Sequence, residues 1–260
     1  MAIAALGLAV LLAGGAARAQ TAVDVELVLA VDMSQSMDQG EHELQRTGYL
    51  AALLHPDVLA AIRDGIHGRV AITYVEWGGP ASQAVVVPWT LIEDEAAAEG
   101  FVAALAAQPI RTISGTSISG ALGFAATLFE GNGYEGFRRV IDVSGDGPNS
   151  SGAPVAPTRD AVLEQGLIVN GLPIMLREPG YTPWSIPDLD IYYADCVIGG
   201  PGSFVLPVDD AAQLADAIRQ KLVLEIAGPP PRLMPATATV RPPRIDCLIG
   251  EKLRQRWSYP

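Results

Sequence analysis

Short β-branched apolar runs alternate with segments of helical periodicity through most of this chain. That alternation limits the folds open to it more than any other feature. Residues 24–31, 70–77, 83–89, 138–143, 167–175 and 203–208 read as strands. Residues 41–54, 56–65, 93–107, 117–129, 158–165, 188–197 and 209–226 read as helices, several with apolar residues on one side only. Strands joined through helices need crossover connections, which give parallel pairs. The Gly78–Gly79–Pro80 link is too short for a crossover, so the second and third strands form an antiparallel hairpin. The expectation is an α/β fold: a doubly wound, mostly parallel six-stranded sheet with one antiparallel edge strand and helices on both faces.

The pattern stops near residue 227. GPPPRLMP and RPPR follow, so residues 228–260 read as a proline-rich extended tail and residues 20–227 as the folded domain. Residues 1–19 read as a signal peptide. An apolar run precedes Gly14–Gly15, and Ala17–Arg18–Ala19 is an A-x-A-like cleavage site. No basic residue precedes the run, and an uncleaved anchor is the competing reading. Cleavage implies a periplasmic or secreted protein, touching membrane only through an uncleaved signal.

Two cysteines, Cys196 and Cys247, form an even count. In an exported protein this suggests a disulfide, with two unrelated buried thiols as the alternative. Topology places Cys196 near the end of its helix, so the bond is expected to pin the tail on the face opposite the carboxyl edge of the sheet. His42, His55 and His67 have no zinc spacing and read as surface or loop residues.

Ligands of open parallel sheets bind beyond the carboxyl ends of the strands. Three polar clusters fall there: Asp32, Ser34 and Ser36 in DMSQS; Thr116 in SGTSISGAL; and Asp146 in VSGDGPN. Two carboxylates and three hydroxyls form a hard, all-oxygen donor set. It suits Mg²⁺ first, with Mn²⁺ or Ca²⁺ as alternatives, rather than zinc or copper. Read singly, Ser36 or Asp38 could be an N-cap, Thr116 could cap the next helix, and Asp146 could be a turn residue. Asp142 lies inside its strand and reads as a structural hydrogen-bonding group. The net charge of −12 repels phosphate backbones and argues against nucleic acid as a partner.

DMSQS, the distant GT and the GDG turn together resemble the metal-ion-dependent adhesion site of von Willebrand factor A domains, over about residues 23–227. VEW, RRVIDVSGDGPN, VNGLPI and YYADCVIGGPGSFV further resemble an exported proteobacterial family with this fold and no assigned function. The resemblance implies that Ser34, Ser36 and Thr116 bind the cation directly, with Asp32 and Asp146 close or water-bridged. It also implies that a partner protein completes the coordination with a carboxylate. The loop REPGYTPWSIPDLD leaves from the same edge, and Tyr181 and Trp184 on it are candidate partner contacts, with Trp184 folded back on the core as the alternative.

An adhesion-type binding module is therefore expected rather than an enzyme. A metal-assisted hydrolase is the rival, but GTSISG is not a G-x-S-x-G elbow and no general base is evident. A domain whose ion only stabilises the fold is the third reading.

Overall fold

A computed structural model describes residues 20–177, 184–228 and 243–258. The sheet has five strands: β1 (Thr21–Asp32), β2 (Val70–Trp77), β3 (Gln83–Ile92), β4 (Tyr134–Gly145) and β5 (Ile168–Pro173). Their order is β3-β2-β1-β4-β5, parallel except for the β2–β3 hairpin. The helices are α1 (Gln39–Leu53), α2 (Pro56–Arg63), α3 (Glu95–Ala106), α4 (Ile118–Thr127), α5 (Val155–Leu163), α6 (Leu189–Tyr192), α7 (Leu214–Ala227) and α8 (Ile249–Ser258). A π-helical turn, Tyr193–Val197, continues α6.

Period-two alternation in β1 divides the core between two faces. Val25, Leu27, Leu29 and Val31 face one layer, with Tyr49 of α1, Val58 of α2, Phe101 of α3 and Ile218 of α7. Val28 and Ala30 face the other, with Leu122 of α4, Val162 of α5 and Tyr192 of α6. At about 25 cal/mol per Å², these two layers supply the main stabilisation. Trp77 is fully buried, and Trp89 packs edge-on against Phe129, so both serve packing.

The expected sixth strand does not form a ladder. Residues 203–208 run beside β5 but join it only through the isolated parallel bridges Gly171–Val205 and Ile174–Val208. Pro173 of β5 has no N–H to give between the Gly171 N–Phe204 O and Met175 N–Val208 O bonds, and the Gly200–Pro201–Gly202 turn feeds the segment in from a bend. The tail also differs from an extended segment, because residues 249–258 form α8.

The chain switches sides between β1 and β4. The first crossover leads from β1 to β2, and β4 pairs on the other side of β1. The crevice at such a switch point is where an open parallel sheet binds ligands. Asp32 ends β1 there, and Asp146 immediately follows β4.

Candidate metal centre

The turn after β1 is built by Asp32 itself. Its Oδ1 accepts the Ser34 backbone N–H at 2.7 Å. That turn aims Ser34 and Ser36 at each other, with their Oγ atoms 2.7 Å apart. Ser36 Oγ donates to Asp146 Oδ1 at 2.5 Å, so the two strand ends meet across the crevice. The Thr116 loop joins them from the side. Ile113, three residues earlier, pairs with Ser34 in an isolated bridge and donates its N–H to Met33 O at 2.6 Å. Thr116 is buried, and its carbonyl accepts the backbone N–H groups of Ser150 and Ser151, both at 3.1 Å. Asp32, Ser34, Ser36 and Asp146 are thus linked by direct contacts, with the Thr116 loop against them.

The capping roles fall to neighbours. Asp38 is the N-cap of α1, where it forms a reciprocal capping box with Glu41. Ser117 caps α4 by accepting from Gly120 N. Ser36 and Thr116 therefore carry no capping duty.

The electrostatics of the cluster favour a cation. Asp32 is fully buried, and its Oδ2 has no hydrogen-bond partner. Burial, then the neighbouring Asp146 charge, push its carboxyl well above the usual carboxylate range. Asp146 is pushed up to about 6, by burial first and then by the charge of Glu41, against the opposing Ser36 hydrogen bond. Two buried acids with raised proton affinity, beside two facing hydroxyls and an unmet carboxylate oxygen, form a donor set that lacks a positive charge. A hard divalent ion fits that set by donor type and charge. Among the described residues, no group of three or more His, Cys, Asp and Glu is arranged to hold a metal. Any site here depends on hydroxyls.

Glycine at 145 permits the close approach of β4 to Asp32. A Cβ there would lie 2.8 Å from Asp32 Oδ2 and 2.9 Å from Tyr193 Oη.

Three supporting groups were not legible as such. His42 is not on a surface: it is fully buried, with Nε2 3.2 Å from Ser34 O, and burial lowers its pKa. His55 caps α2, and His67 stacks on Phe137. Arg177 braces the Ser36 turn by donating to Ser36 O at 2.7 Å and pairing with Glu41 and Asp38. Gln45 donates to Ser144 Oγ at 2.7 Å, below the Asp146 turn. The signal for His42 and Gln45 was their spacing on the inward side of α1, masked by their polarity.

Asp142 does form structural contacts. Tyr49 Oη donates to its Oδ2 at 3.3 Å, and Lys221 Nζ lies 2.5 Å from its Oδ1. Trp184 is half-buried, whereas Tyr181 and the signal segment 1–19 lie outside the described residues. A groove of about 230 Å³ opens beside Asp146, lined by Arg177, Ile174, Met175, Ile186 and Leu189 among others.

The disulfide Cys196–Cys247 is present. Its expected position on the far face is not. Tyr192 Oη donates to Cys247 O at 3.4 Å and accepts from Asn149 N at 3.1 Å, three residues past Asp146. The bond returns the chain to the carboxyl edge because α8 continues from Cys247 toward that loop.

Several solved structures share this fold. Proximal thread matrix protein 1 of the mussel byssus aligns with a TM-score of 0.58 at 13% identity, over 80% of this chain and 49% of its own. The pilus adhesin SpaC of Lactobacillus rhamnosus GG gives 0.57 at 15% identity, over 80% of this chain and 31% of its own. The von Willebrand factor domain of the pilus tip protein Mfa5 of Porphyromonas gingivalis gives 0.54 at 11% identity, over 82% and 98%. This chain thus spans about half or less of the mussel protein and SpaC. The mussel protein has also been described with zinc occupying its own MIDAS motif. No curated protein matches the sequence. At these identities the likeness shows the fold alone, that of von Willebrand factor A domains. The sequence model of the family described as "protein of unknown function (DUF1194)" matches residues 22–230, and the chain belongs to that family.

Proposed function

We propose that this protein is a divalent-cation-dependent protein-binding module of the cell envelope, of the adhesion type, with Mg²⁺ as its ion. The observation that carries this reading is the Asp32–Ser34–Ser36–Asp146 chain of contacts, with the unmet buried Asp32 Oδ2 at its base. Ser34, Ser36 and Thr116 offer hydroxyl oxygens, while Asp32 and Asp146 supply the balancing charge and orient the hydroxyl hydrogens. When bound, the ion supplies an electrophilic position for a partner carboxylate, because neutral hydroxyls leave it incompletely neutralised.

The surroundings support a partner site. The groove beside Asp146 is lined by apolar residues together with the charged Glu41, Arg177 and Asp209, a suitable seat for residues flanking an acidic one. The pilus and adhesin neighbours support an adhesive role. The Ala17–Arg18–Ala19 site supports export, and no helix among the described residues is long and apolar enough to cross a membrane.

Affinity capture from a native envelope extract tests this reading, with Mg²⁺ against a chelator. A partner retained in Mg²⁺, released by chelator and lost with Thr116→Ala is the expected result. That variant should keep its circular dichroism spectrum, since the hydroxyl caps no helix. Trp184→Ala should weaken capture without changing metal binding. Equal capture in chelator would defeat the mechanism, and capture independent of Trp184 would remove that side chain from the interface.

A further inference from the structure

We propose that the Cys196–Cys247 disulfide and the helix behind it form a positioning device for the metal edge, with Asn149 and Glu251 as its positioning residues. The inference rests on the metal reading above. Helix α8 lies beyond residues 22–230, the span shared with the family.

Asn149 is the point of contact, and it is completely buried. Its Oδ1 accepts from Ser119 N at 3.0 Å, at the start of α4. Its Nδ2 donates to Ala153 O at 3.0 Å and to Glu251 Oε1 of α8 at 2.7 Å. Its backbone N–H donates to Tyr192 Oη, which in turn donates to the carbonyl of the disulfide residue Cys247. A carboxylate accepting from a buried amide is a strong, geometrically specific bond. Helix α8 also presses on the loop directly: a Cβ at Gly250 would lie 2.1 Å from Asn149 O. Only glycine allows that approach.

The contact reaches both halves of the site. Asn149 follows Asp146 by three residues. The next two residues, Ser150 and Ser151, give their backbone N–H and Oγ groups to Thr116 O. The segment fixed by α8 therefore carries one proposed ligand and holds the loop of another. On its own, α8 has ten residues, too few for a stable isolated helix. The disulfide holds it at the loop. Ion affinity then depends on a covalent bond remote from the ligands.

The test compares the full-length wild type with Gly250→Val, Glu251→Leu, Glu251→Gln and the Cys196→Ser/Cys247→Ser pair. Mn²⁺ affinity is read by calorimetry, and amide hydrogen exchange at residues 114–117 and 146–153 is read in chelator. Gly250→Val, Glu251→Leu and the cysteine pair should weaken Mn²⁺ binding at least tenfold and speed exchange in both loops. Glu251→Gln, whose amide oxygen still accepts from Asn149, should stay within about twofold of wild type. A merely structural helix would lower the unfolding temperature and leave Mn²⁺ affinity and loop exchange unchanged, and that result overturns the proposal. If the wild type binds no Mn²⁺, the metal reading fails. The exchange data then decide the positioning role separately: faster exchange upholds the helix–loop coupling, and unchanged exchange rejects it.

Discussion

Replacing Lys221 by methionine should cost about 3–5 kcal/mol at pH 7.5, the range seen when one member of a buried ion pair is removed. Lys221 on α7 is almost wholly buried between two acids, Asp142 on β4 and Glu225 one turn along its own helix. Asn170 donates to Glu225 Oε1 at 3.1 Å, and Tyr49 donates to Asp142, so the acids keep neutral partners in the variant. What they lose is the ammonium that pairs with both of them.

The loss should depend on pH. Burial, then the Asp142 charge, push Glu225 up to about 7. Burial also raises Asp142, with Lys221 opposing. An acid whose folded pKa is raised contributes stability that is present below its unfolded value, about 4.5 for Glu, and lost as pH rises through the folded value. Without Lys221 both acids can take protons at pH 5, and the defect should shrink there. Glu225→Gln should do the opposite at pH 8. It removes one of two acids competing for a single cation and should leave the protein as stable as wild type or more so. Urea unfolding at pH 5 and 8 reads both variants. An equal loss for Lys221→Met at the two pH values would show that packing, not charge, is what the lysine supplies.

That cluster marks the limit of what the sequence conveys. Lys221 and Glu225 stand four apart on an amphipathic helix, the spacing of an ordinary exposed ion pair. Only the mid-strand Asp142, brought opposite by the tertiary fold, makes it a core feature. The sheet was legible because β1, β2 and β4 are long, β-branched apolar runs, buried along most of their length. Residues 203–208 carry the same apolar character, but Pro173 on the neighbouring β5 lacks an N–H that a continuous ladder needs, and the segment's own composition does not reveal that. Helix α8 was hidden by the prolines before it. Its signal was Ile249, Leu253 and Trp257 at i, i+4 and i+8. The proposed metal residues were legible as three short polar clusters after apolar runs. The elements bracing them were not. Arg177 and Asn149 act through contacts separated by tens of residues, and no local spacing encodes those.

The second large effect is expected at the acids of the crevice. Asp32→Ala and Asp146→Ala should each abolish the metal-dependent rise in unfolding temperature. An ion at about 100 times its dissociation constant stabilises the folded state by roughly 2.7 kcal/mol, so its loss is readily measured. The two carboxyls also fix a pH signature. Both are raised in the folded protein, Asp146 to about 6. In chelator, the stability they contribute is present below their unfolded value, about 3.9, and falls away as pH rises through the folded values, about 6 for Asp146. A bound cation reverses this, because it requires the deprotonated carboxylates and must displace their protons below that point. Mg²⁺ should therefore stabilise the wild type strongly at pH 7.5 and weakly at pH 5. The difference between Mg²⁺ and chelator at each pH removes the contribution of Glu225, which titrates in both. In Asp146→Ala, chelator alone should flatten part of the fall between pH 4 and pH 7, since one of the two repelling acids is gone. Thermal scans of the three proteins at those pH values separate the possibilities. A Mg²⁺ shift of equal size at pH 5 and 7.5, or one retained in both alanine variants, would place the ion somewhere other than between Asp32 and Asp146.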